Sequence, residues 1–259
     1  MTGLFISGTD TGVGKTRVAC AIVQALRERG LRIGVMKPVE TGVGDAGPLD
    51  ALALARAAGR LDDLAEISPF RFALPAAPSV AAAAEGADVD LKRIVTSFEI
   101  IRADSDLTLV EGAGGVRVPL TRDHDMLDLA RLLELPILVV ARASLGTINH
   151  TLLSLAEIRR RGLALAGVVI SHPGGPISPP DEANLAALRD GLGESLVGVL
   201  PPLETDETPA EGWLDCDRLL AAISTNPGFA TDSTNLTGPI DSTGSEKTTA
   251  SQKGHLRYF

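Results

Sequence analysis

The sequence predicts an α/β fold in which helices cover both faces of a doubly wound, mostly parallel sheet. Six short apolar runs, rich in Val, Ile and Leu and bounded by turn residues, have the pattern of buried parallel strands. Six helical patterns alternate with these runs, as right-handed β-α-β crossovers require. The 259 residues are 44% hydrophobic, which is enough apolar material for the core of such a fold.

The strands and helices can be placed along the chain. The predicted strands are Leu4–Ser7, Ile33–Lys37, Leu107–Glu111, Ile137–Ala141, Ala166–Ser171 and Val197–Leu200. The predicted helices are Arg17–Arg29, Asp50–Ala58, Asp90–Ala103, Asp125–Leu133, Ile148–Arg161 and Asp181–Asp190. The prolines and alanines of Ser68–Gly86 leave two alternatives open, a long loop that passes over the binding edge or a partly helical excursion.

The composition changes at residue 224. Twelve of the 28 positions from Ser224 to Ser251 are Ser or Thr, with Gly and Pro scattered among them. Such a segment has little apolar surface to bury and shows no hydrophobic period. We therefore predict one folded domain over residues 1–223 and a disordered Ser/Thr-rich tail over residues 224–259.

Charge and cysteine content argue against several classes of protein. The net charge of −9 argues against a nucleic-acid partner, which would require a basic surface. Cys20 and Cys216 are far apart in the sequence, so they indicate neither a disulfide framework nor a zinc site. Because it shows no signal peptide and no apolar run of about 18 residues, we expect the chain to be cytoplasmic, with no membrane partner.

The segment Gly8–Thr16 follows the first predicted strand and leads into the first predicted helix. Its glycines allow backbone N–H groups to point at an oxyanion, and the helix N-terminus adds partial positive charge. Lys15 is placed to reach the β- and γ-phosphates of a nucleotide, and the Thr16 hydroxyl can bind Mg²⁺. The pattern G-x-x-x-x-G-K-[ST] has glycine at position 9, where this chain has Thr9. The order of strand, loop and helix still predicts a nucleotide site on a sheet like that of P-loop NTPases.

Charged residues end two further predicted strands. Lys37 ends the second strand, because Pro38 disfavours helical backbone angles before it and lacks an N–H. Glu111 ends the third strand and precedes glycines that allow a ligand to approach the backbone. The carboxyl ends of parallel strands meet at the ligand-binding edge, where a carboxylate such as Glu111 can hold Mg²⁺. Asp50 opens a predicted helix, either as its N-cap or as a second metal carboxylate.

The helix after the fourth predicted strand also begins next to a glycine. The backbone N–H groups of Gly146–Asn149 and the helix dipole suit a small anion such as a substrate carboxylate. The alternative is that Ser144 or Thr147 is a simple helix cap.

Four of these segments together resemble the dethiobiotin synthetases, ATP-dependent carboxylases that close the ureido ring of the precursor of biotin. The matching motifs are G-T-D-T-x-V-G-K-T at Gly8–Thr16, K-P-V-x-[ST]-G at Lys37–Gly42, E-G-A-G-G at Glu111–Gly115 and L-G-x-I-N-H at Leu145–His150. The resemblance implies that N7 of 7,8-diaminononanoate (7,8-diaminopelargonate) takes up CO₂ as a carbamate. The carbamate then attacks the γ-phosphate of ATP to give a carbamic–phosphoric anhydride. Attack by N8 closes the cyclic urea and releases phosphate, with ADP as the other product.

The resemblance also implies roles for individual residues. Catalytic roles fall on Thr11, Lys15 and Lys37, and the implied Mg²⁺ ligands are Thr16, Asp50 and Glu111. The implied nucleotide-binding residues are Gly12, Val13, Gly14, Lys15, Thr16, Ser171, Pro201, Pro202 and Leu203. The implied substrate-binding residues are Lys37, Thr41, Glu111, Gly112, Ala113, Gly114, Gly146, Thr147, Ile148 and Asn149. The last four would come from the other subunit of a homodimer whose active sites lie at the interface.

Two residues depart from the family pattern. Gly12 stands where several members carry Glu, so a side chain next to the phosphates is missing. Ser171 stands where members often place an Asn that contacts adenine. Other nucleoside triphosphates therefore remain candidates beside ATP.

Two other classes of protein share this type of sheet. Regulatory ATPases of the partitioning and site-selection type carry a lysine at the position of Asp10, which argues against that class. Phosphate-loop domains attached to cobyrinate amidases or phosphate acetyltransferases continue into a second catalytic domain. Here the predicted domain is followed by a Ser/Thr-rich segment instead, so the synthetase is the preferred hypothesis.

Overall fold

The computed structural model describes residues 2–172, 178–202, 209 and 211–224. Its strands are β1 Thr2–Gly8, β2 Ile33–Met36, β3 Val39–Thr41, β4 Phe70–Phe72, β5 Leu107–Gly115, β6 Ile137–Arg142, β7 Leu165–Ser171 and β8 Leu196–Leu200. In the described residues, six strands form one sheet in the order β2-β5-β1-β6-β7-β8, while β3 pairs with β4. All these pairings are parallel, so the predicted class of sheet is confirmed.

The helices surround this sheet. They are α1 Lys15–Glu28, α2 Leu49–Ala58, α3 Leu64–Ile67, α4 Pro78–Ala84, α5 Leu91–Ala103, α6 Met126–Leu132, α7 Thr147–Arg160, α8 Pro179–Leu192 and α9 Cys216–Ser224. Short 3₁₀ turns cover Leu61–Asp63 and Gly193–Ser195. Each predicted strand and helix has a counterpart whose ends differ by only a few residues, so the predicted alternation is confirmed.

The segment Ser68–Gly86 contains β4 and α4, so the partly helical alternative is correct. Helix α4 begins at Pro78, where the fixed φ and the missing N–H suit the first helical position. The sequence patterns missed β3, β4 and α3, because elements of three or four residues are too short to show a hydrophobic period. They also missed α9, although its buried residues Leu219 and Ile223 have helical spacing.

The sheet is buried because its central strands are apolar on both faces. Leu4, Phe5 and Ile6 of β1 are 0% exposed. The strand order turns at β1, with β5 and β2 on one side and β6, β7 and β8 on the other. Such a turn opens a crevice beyond the carboxyl end of the central strand. The loop that follows β1 therefore lies at the position where open α/β sheets bind ligands.

Several predictions from the sequence concern residues that the structure does not describe. The predicted tail lies outside them except for Ser224, so the boundary at residue 223 stays a prediction. Leu203, predicted to line the base pocket, also lies outside them. Across the part of the chain that is described, no helix has both the length and the apolar character needed to cross a bilayer.

Candidate active site

The loop between β1 and α1 is built around two glycines with left-handed backbone angles. Gly12 has φ 72° and Gly14 has φ 92°, conformations that L side chains rarely adopt. Gly14 is also confined, because a β-carbon there would lie 2.5 Å from Oγ of Ser171. Gly14 is the N-cap of α1, and no side chain of the described residues caps this helix start. A helix start without a side-chain cap is suited to binding an anion.

Lys15 is the first residue of α1 and its ammonium group turns back toward the loop. Its side chain is largely buried, and Nζ donates a hydrogen bond to the carbonyl oxygen of Asp10 at 3.0 Å. Burial lowers the pKa of Lys15 to about 8, with repulsion from Lys37 as the second cause. Attraction to Glu111, Asp50 and Asp10 opposes both effects without cancelling them. A bound phosphate would supply the negative charge that this ammonium group lacks.

Four side chains from separate elements form a hydrogen-bonded cluster next to Lys15. We call Thr16, Lys37, Asp50 and Glu111 the carboxylate–lysine cluster. Nζ of Lys37 lies 2.6 Å from Oε1 of Glu111 and 2.9 Å from Oδ2 of Asp50. The Thr16 hydroxyl donates to the same Oε1 of Glu111 at 2.9 Å. The cluster therefore joins the start of α1, the end of β2, the start of α2 and strand β5.

The charges of this cluster stabilise one another. Burial disfavours the charged form of Lys37, but attraction to Glu111 and Asp50 outweighs it and raises the pKa of Lys37. Burial likewise disfavours charged Asp50, but attraction to Lys37 and a hydrogen bond from it lower the pKa of Asp50 on balance. Lys37 is thus held as an ammonium group beside two carboxylates.

The oxygen atoms of this cluster fit a small hard cation. Oε2 of Glu111 is buried and has no hydrogen-bond partner among the described residues. Asp50 and the Thr16 hydroxyl add two further oxygen donors of the type that Mg²⁺ prefers. In the described part of the chain no group of three or more His, Cys, Asp or Glu could hold a metal ion. Mg²⁺ fits such a site, because it commonly uses one or two carboxylates together with substrate phosphates and water.

An open cleft of about 660 Å³ brings most of the predicted site residues together. The predicted residues that line it are Thr11, Gly12, Gly14, Lys15, Thr16, Lys37, Thr41, Asp50, Glu111, Ala113 and Gly114. The cleft is also lined by Pro75, Ala76, Ala77 and Pro78, the last of which begins α4. The sequence did not indicate these apolar wall residues individually.

Other predicted residues lie beneath or beside the cleft. Val13 is buried, and Gly112 packs inward, since a β-carbon there would lie 3.0 Å from the ring of Phe5. Ser171 ends β7, is 2% exposed and packs against Gly14. Pro201 and Pro202 follow the end of β8, where Pro202 is exposed. The roles of all these residues toward a base or a substrate stay predictions.

The start of α7 does not line this cleft. Its N-cap is Gly146 with φ 88°, and no side chain of the described residues caps it, so the proposed caps at Ser144 and Thr147 are wrong. Ser144 instead accepts a hydrogen bond from Arg142. Ile148 is half-buried and Asn149 is exposed. The N–H of Thr147 donates to the carbonyl oxygen of Ser144 at 3.2 Å. Beside this helix start Leu145 is 77% exposed, so an apolar residue adjoins a helix start without a side-chain cap.

The structure excludes one of the two interpretations of Asp50. The N-cap of α2 is Pro48, and Asp50 is a first-turn residue whose carboxylate contacts Lys37. Asp50 is therefore not an N-cap. The start of α2 is instead bound by Glu40, which accepts hydrogen bonds from the N–H groups of Asp50 and Ala51, both at 2.9 Å. The role of Glu40 could not be predicted from the sequence, because nothing local marks a glutamate on a three-residue strand as a partner of this helix.

Comparisons with known proteins agree with this geometry. A family model described as "AAA domain" matches residues 2–210. The ATP-dependent dethiobiotin synthetase BioD of Anaeromyxobacter dehalogenans (strain 2CP-C) is 48% identical over 201 residues, covering 78% of this chain and 90% of that protein. The protein of the same name from Bacillus licheniformis is 38% identical over 213 residues, covering 82% of this chain and 90% of that protein.

Solved structures give a more distant match. The MinD cell division protein of Aquifex aeolicus is 14% identical, with a TM-score of 0.49, covering 86% of this chain and 98% of that one. A ParA family ATPase from Chlorobium tepidum TLS is 16% identical, with a TM-score of 0.47, covering 86% and 90% of the two chains. Likeness at this level carries no information about function.

Proposed function

The chain belongs to the ATP-dependent dethiobiotin synthetase family, and we propose that its cleft closes the ureido ring of dethiobiotin from 7,8-diaminononanoate and CO₂. It is an ATP-dependent ligase. The observation that carries the proposal is the pair of buried lysines that line one cleft. Lys15 lies at an uncapped helix start suited to phosphate, and Lys37 is held as an ammonium group in the adjoining cluster.

The proposed reaction develops negative charge on oxygen at each step. N7 of the diamine adds to CO₂, loses a proton and forms a carbamate. A carbamate oxygen attacks the γ-phosphate of ATP, the bond to the β-phosphate oxygen breaks, and ADP leaves. N8 then attacks the carbamic carbon and loses a proton, and phosphate leaves as the five-membered urea closes. Such a sequence needs cations and N–H donors rather than a nucleophilic side chain.

Residues at different positions in the cleft have different proposed roles. In the proposal, the backbone N–H groups of residues 12–16 hold the phosphates, and Lys15 stabilises the charge that develops on the transferred phosphoryl group. Lys37 faces the carbamate and the γ-phosphate from the other side. The backbone of Gly112–Gly114 and the hydroxyls of Thr11 and Thr41 orient the phosphate and the diamine.

We assign Thr16, Asp50 and Glu111 as the residues that hold Mg²⁺. The ion would neutralise charge on the β- and γ-phosphates when it is bound. The unpartnered buried Oε2 of Glu111 supports this assignment, because a buried carboxylate oxygen normally has a partner.

We also propose that the active enzyme is a homodimer in which Gly146–Asn149 of each subunit binds the carboxylate of a diamine held in the other subunit's cleft. The uncapped start of α7 and exposed Leu145 and Leu153 support this arrangement. A mixture of Lys15→Ala and Asn149→Glu subunits tests it, because a mixed dimer then contains one site built only from unaltered parts. We expect about a quarter of wild-type activity after subunit exchange, although each variant alone is nearly inactive. Activity that stays at the level of the separate variants would contradict a composite site.

We propose that the nucleotide base is contacted by Ser171, Pro201, Pro202 and Leu203. Ser171 has a short side chain that packs against Gly14, so it offers less to a base edge than the Asn of other members. We therefore expect weak discrimination among ATP, CTP and GTP.

Phosphate release tests the proposed function as a whole. The purified protein is given Mg²⁺, bicarbonate and ATP, with and without 7,8-diaminononanoate, and parallel reactions contain CTP or GTP. We expect phosphate release that requires the diamine and matches dethiobiotin formation in amount. Hydrolysis indifferent to the diamine would contradict the synthetase and favour a switch-type ATPase.

A further inference from the structure

Glu40 is a buried carboxylate in the wall of the cleft that the reaction scheme above does not use. It is the middle residue of β3, it is 6% exposed, and it lines the cleft between Val39 and Thr41. It also occupies the open position of the motif K-P-V-x-[ST]-G. The family pattern therefore does not prescribe an acidic residue at this point.

Both oxygens of Glu40 are bound to the first turn of α2. Oε1 accepts the N–H of Asp50 and Oε2 accepts the N–H of Ala51, each at 2.9 Å. The N-cap of this helix is Pro48, and none of the described side chains caps the helix start locally. Glu40 thus satisfies two N–H groups that would otherwise be unpaired, and its charge suits the positive end of the helix dipole.

One of these hydrogen bonds positions the backbone of Asp50, which belongs to the carboxylate–lysine cluster. The side chain of Asp50 is 42% exposed, so packing constrains it weakly. Its carboxylate nevertheless lies 2.9 Å from Nζ of Lys37. The N–H of Asp50 itself donates to Glu40, so the backbone position of Asp50, and with it the position of its carboxylate, depends on Glu40.

We propose that Glu40 is a positioning residue that fixes the start of α2, directs the Asp50 carboxylate into the cluster and so sets the affinity of the cleft for a divalent cation. The inference rests on the proposed function, which assigns Asp50 as a metal ligand. Glu40 acts through Asp50 and not as a ligand, because backbone N–H groups engage both of its oxygens. Groups that orient a metal ligand commonly change metal affinity when they are replaced.

Direct cation binding tests this role. Mn²⁺ serves as a spectroscopic substitute for Mg²⁺, and its affinity for the complex of the protein with ADP is measured by electron paramagnetic resonance. We expect Glu40→Ala to weaken Mn²⁺ binding about tenfold. Glu40→Gln should weaken it less, because the amide oxygen still accepts one N–H. In an Asp50→Asn background, Glu40→Ala should cause no further loss, because its route to the metal has been removed.

The chain offers a matched control for loss of a helix cap. The carboxylate of Asp90 accepts the N–H of Lys92 at the start of α5, and neither residue lines the cleft. Asp90→Ala should lower Tm as other cap losses do and leave Mn²⁺ affinity unchanged. A fall in Tm common to Asp90→Ala and Glu40→Ala, with a loss of affinity in Glu40→Ala alone, supports positioning over general destabilisation.

The remaining outcomes distinguish an error about Glu40 from an error about Asp50. If Asp50→Asn weakens Mn²⁺ binding and Glu40→Ala does not, the inference about Glu40 is wrong and the proposed function stands. If neither substitution changes the affinity, the assignment of Asp50 as a ligand fails, and the inference fails with it. If Glu40→Ala is equally damaging with and without Asp50, Glu40 binds the ion itself and is not a positioning residue.

Discussion

Helices α1 and α7 begin in the same way, yet their surroundings differ. Each follows a strand of the main sheet, has a left-handed glycine as its N-cap and, in the described residues, lacks a side-chain cap. At Gly14 a β-carbon would collide with Ser171, whereas at Gly146 it would meet nothing within 4 Å among the described residues. The start of α1 is enclosed by the carboxylate–lysine cluster, and the start of α7 is open beside exposed Leu145.

An uncapped helix start alone does not make a catalytic site. In the described residues neither helix start has a side-chain cap, so both can attract an anion. Among the described residues, the start of α1, unlike that of α7, also lies beside the buried ammonium group of Lys37, which is within hydrogen-bonding distance of two carboxylates. The first is suited to chemistry on a phosphate, and the second to holding a ligand that another surface helps to enclose.

The largest expected effect comes from removing the ammonium group at the start of α1. Lys15→Ala should reduce phosphate release at least about a hundredfold, because it removes a cation directed at the developing phosphoryl charge. Lys92→Ala, on an exposed position of α5, is the matched control and should retain activity. Comparable losses in both variants would mean that the start of α1 has no special role.

Lys37→Ala should affect turnover more than nucleotide binding. We expect turnover to fall about a hundredfold, while the Kd for ATP changes far less, because Lys37 faces the carbamate rather than the base. The same substitution leaves Glu111 buried without its ammonium partner, so unfolding free energy should fall by about 3 kcal/mol or more. Kinetics, calorimetry and urea unfolding measure these three quantities. Equal losses of turnover and nucleotide affinity would contradict the assigned role.

Alanine at the two N-cap glycines tests the comparison directly. Gly14→Ala should abolish nucleotide binding, since it combines a left-handed φ with a collision against Ser171. Gly146→Ala should cost only the backbone strain, about 1–2 kcal/mol of unfolding free energy, and leave nucleotide affinity in the absence of diamine unchanged. Adding Ser171→Gly to Gly14→Ala should recover part of the lost affinity. No recovery would show that the collision is unimportant.

The smallest expected effect concerns the far end of α7. Hydrogen bonds from Arg160, Arg117 and Arg161 lower the pKa of Glu157 below its ordinary value of 4.5. The resulting stabilisation is complete above pH 4.5 and is lost as the pH falls toward the pKa of the folded state. Glu157→Gln should therefore lower Tm at pH 7 by on the order of a few degrees and make Tm less dependent on pH below 4.5. A Tm that falls with acid as steeply as in the unaltered protein would contradict this account.

Several parts of the site could be anticipated from the sequence because contiguous residues specify them. The apolar runs predicted the strands, and the glycines with Lys15 predicted an anion-binding loop at a helix start. Parallel strands present their carboxyl ends at one edge of the sheet. This rule also predicted that Lys37 and Glu111 lie at the same edge. These inferences need only local patterns and one general property of parallel sheets.

Other parts depended on which distant segments pack against one another. That Asp50 contacts Lys37 and does not cap its helix was decided by where α2 lies relative to β2 and β3. The capping of that helix start by Glu40, the contact of Ser171 with Gly14 and the wall formed by Pro75 and its neighbours likewise required tertiary packing. The sequence by itself determined which residues can bind phosphate and which segments become strands. Only the tertiary structure decided which charges meet, because distances between residues far apart in the chain are set by packing rather than by local conformational preference.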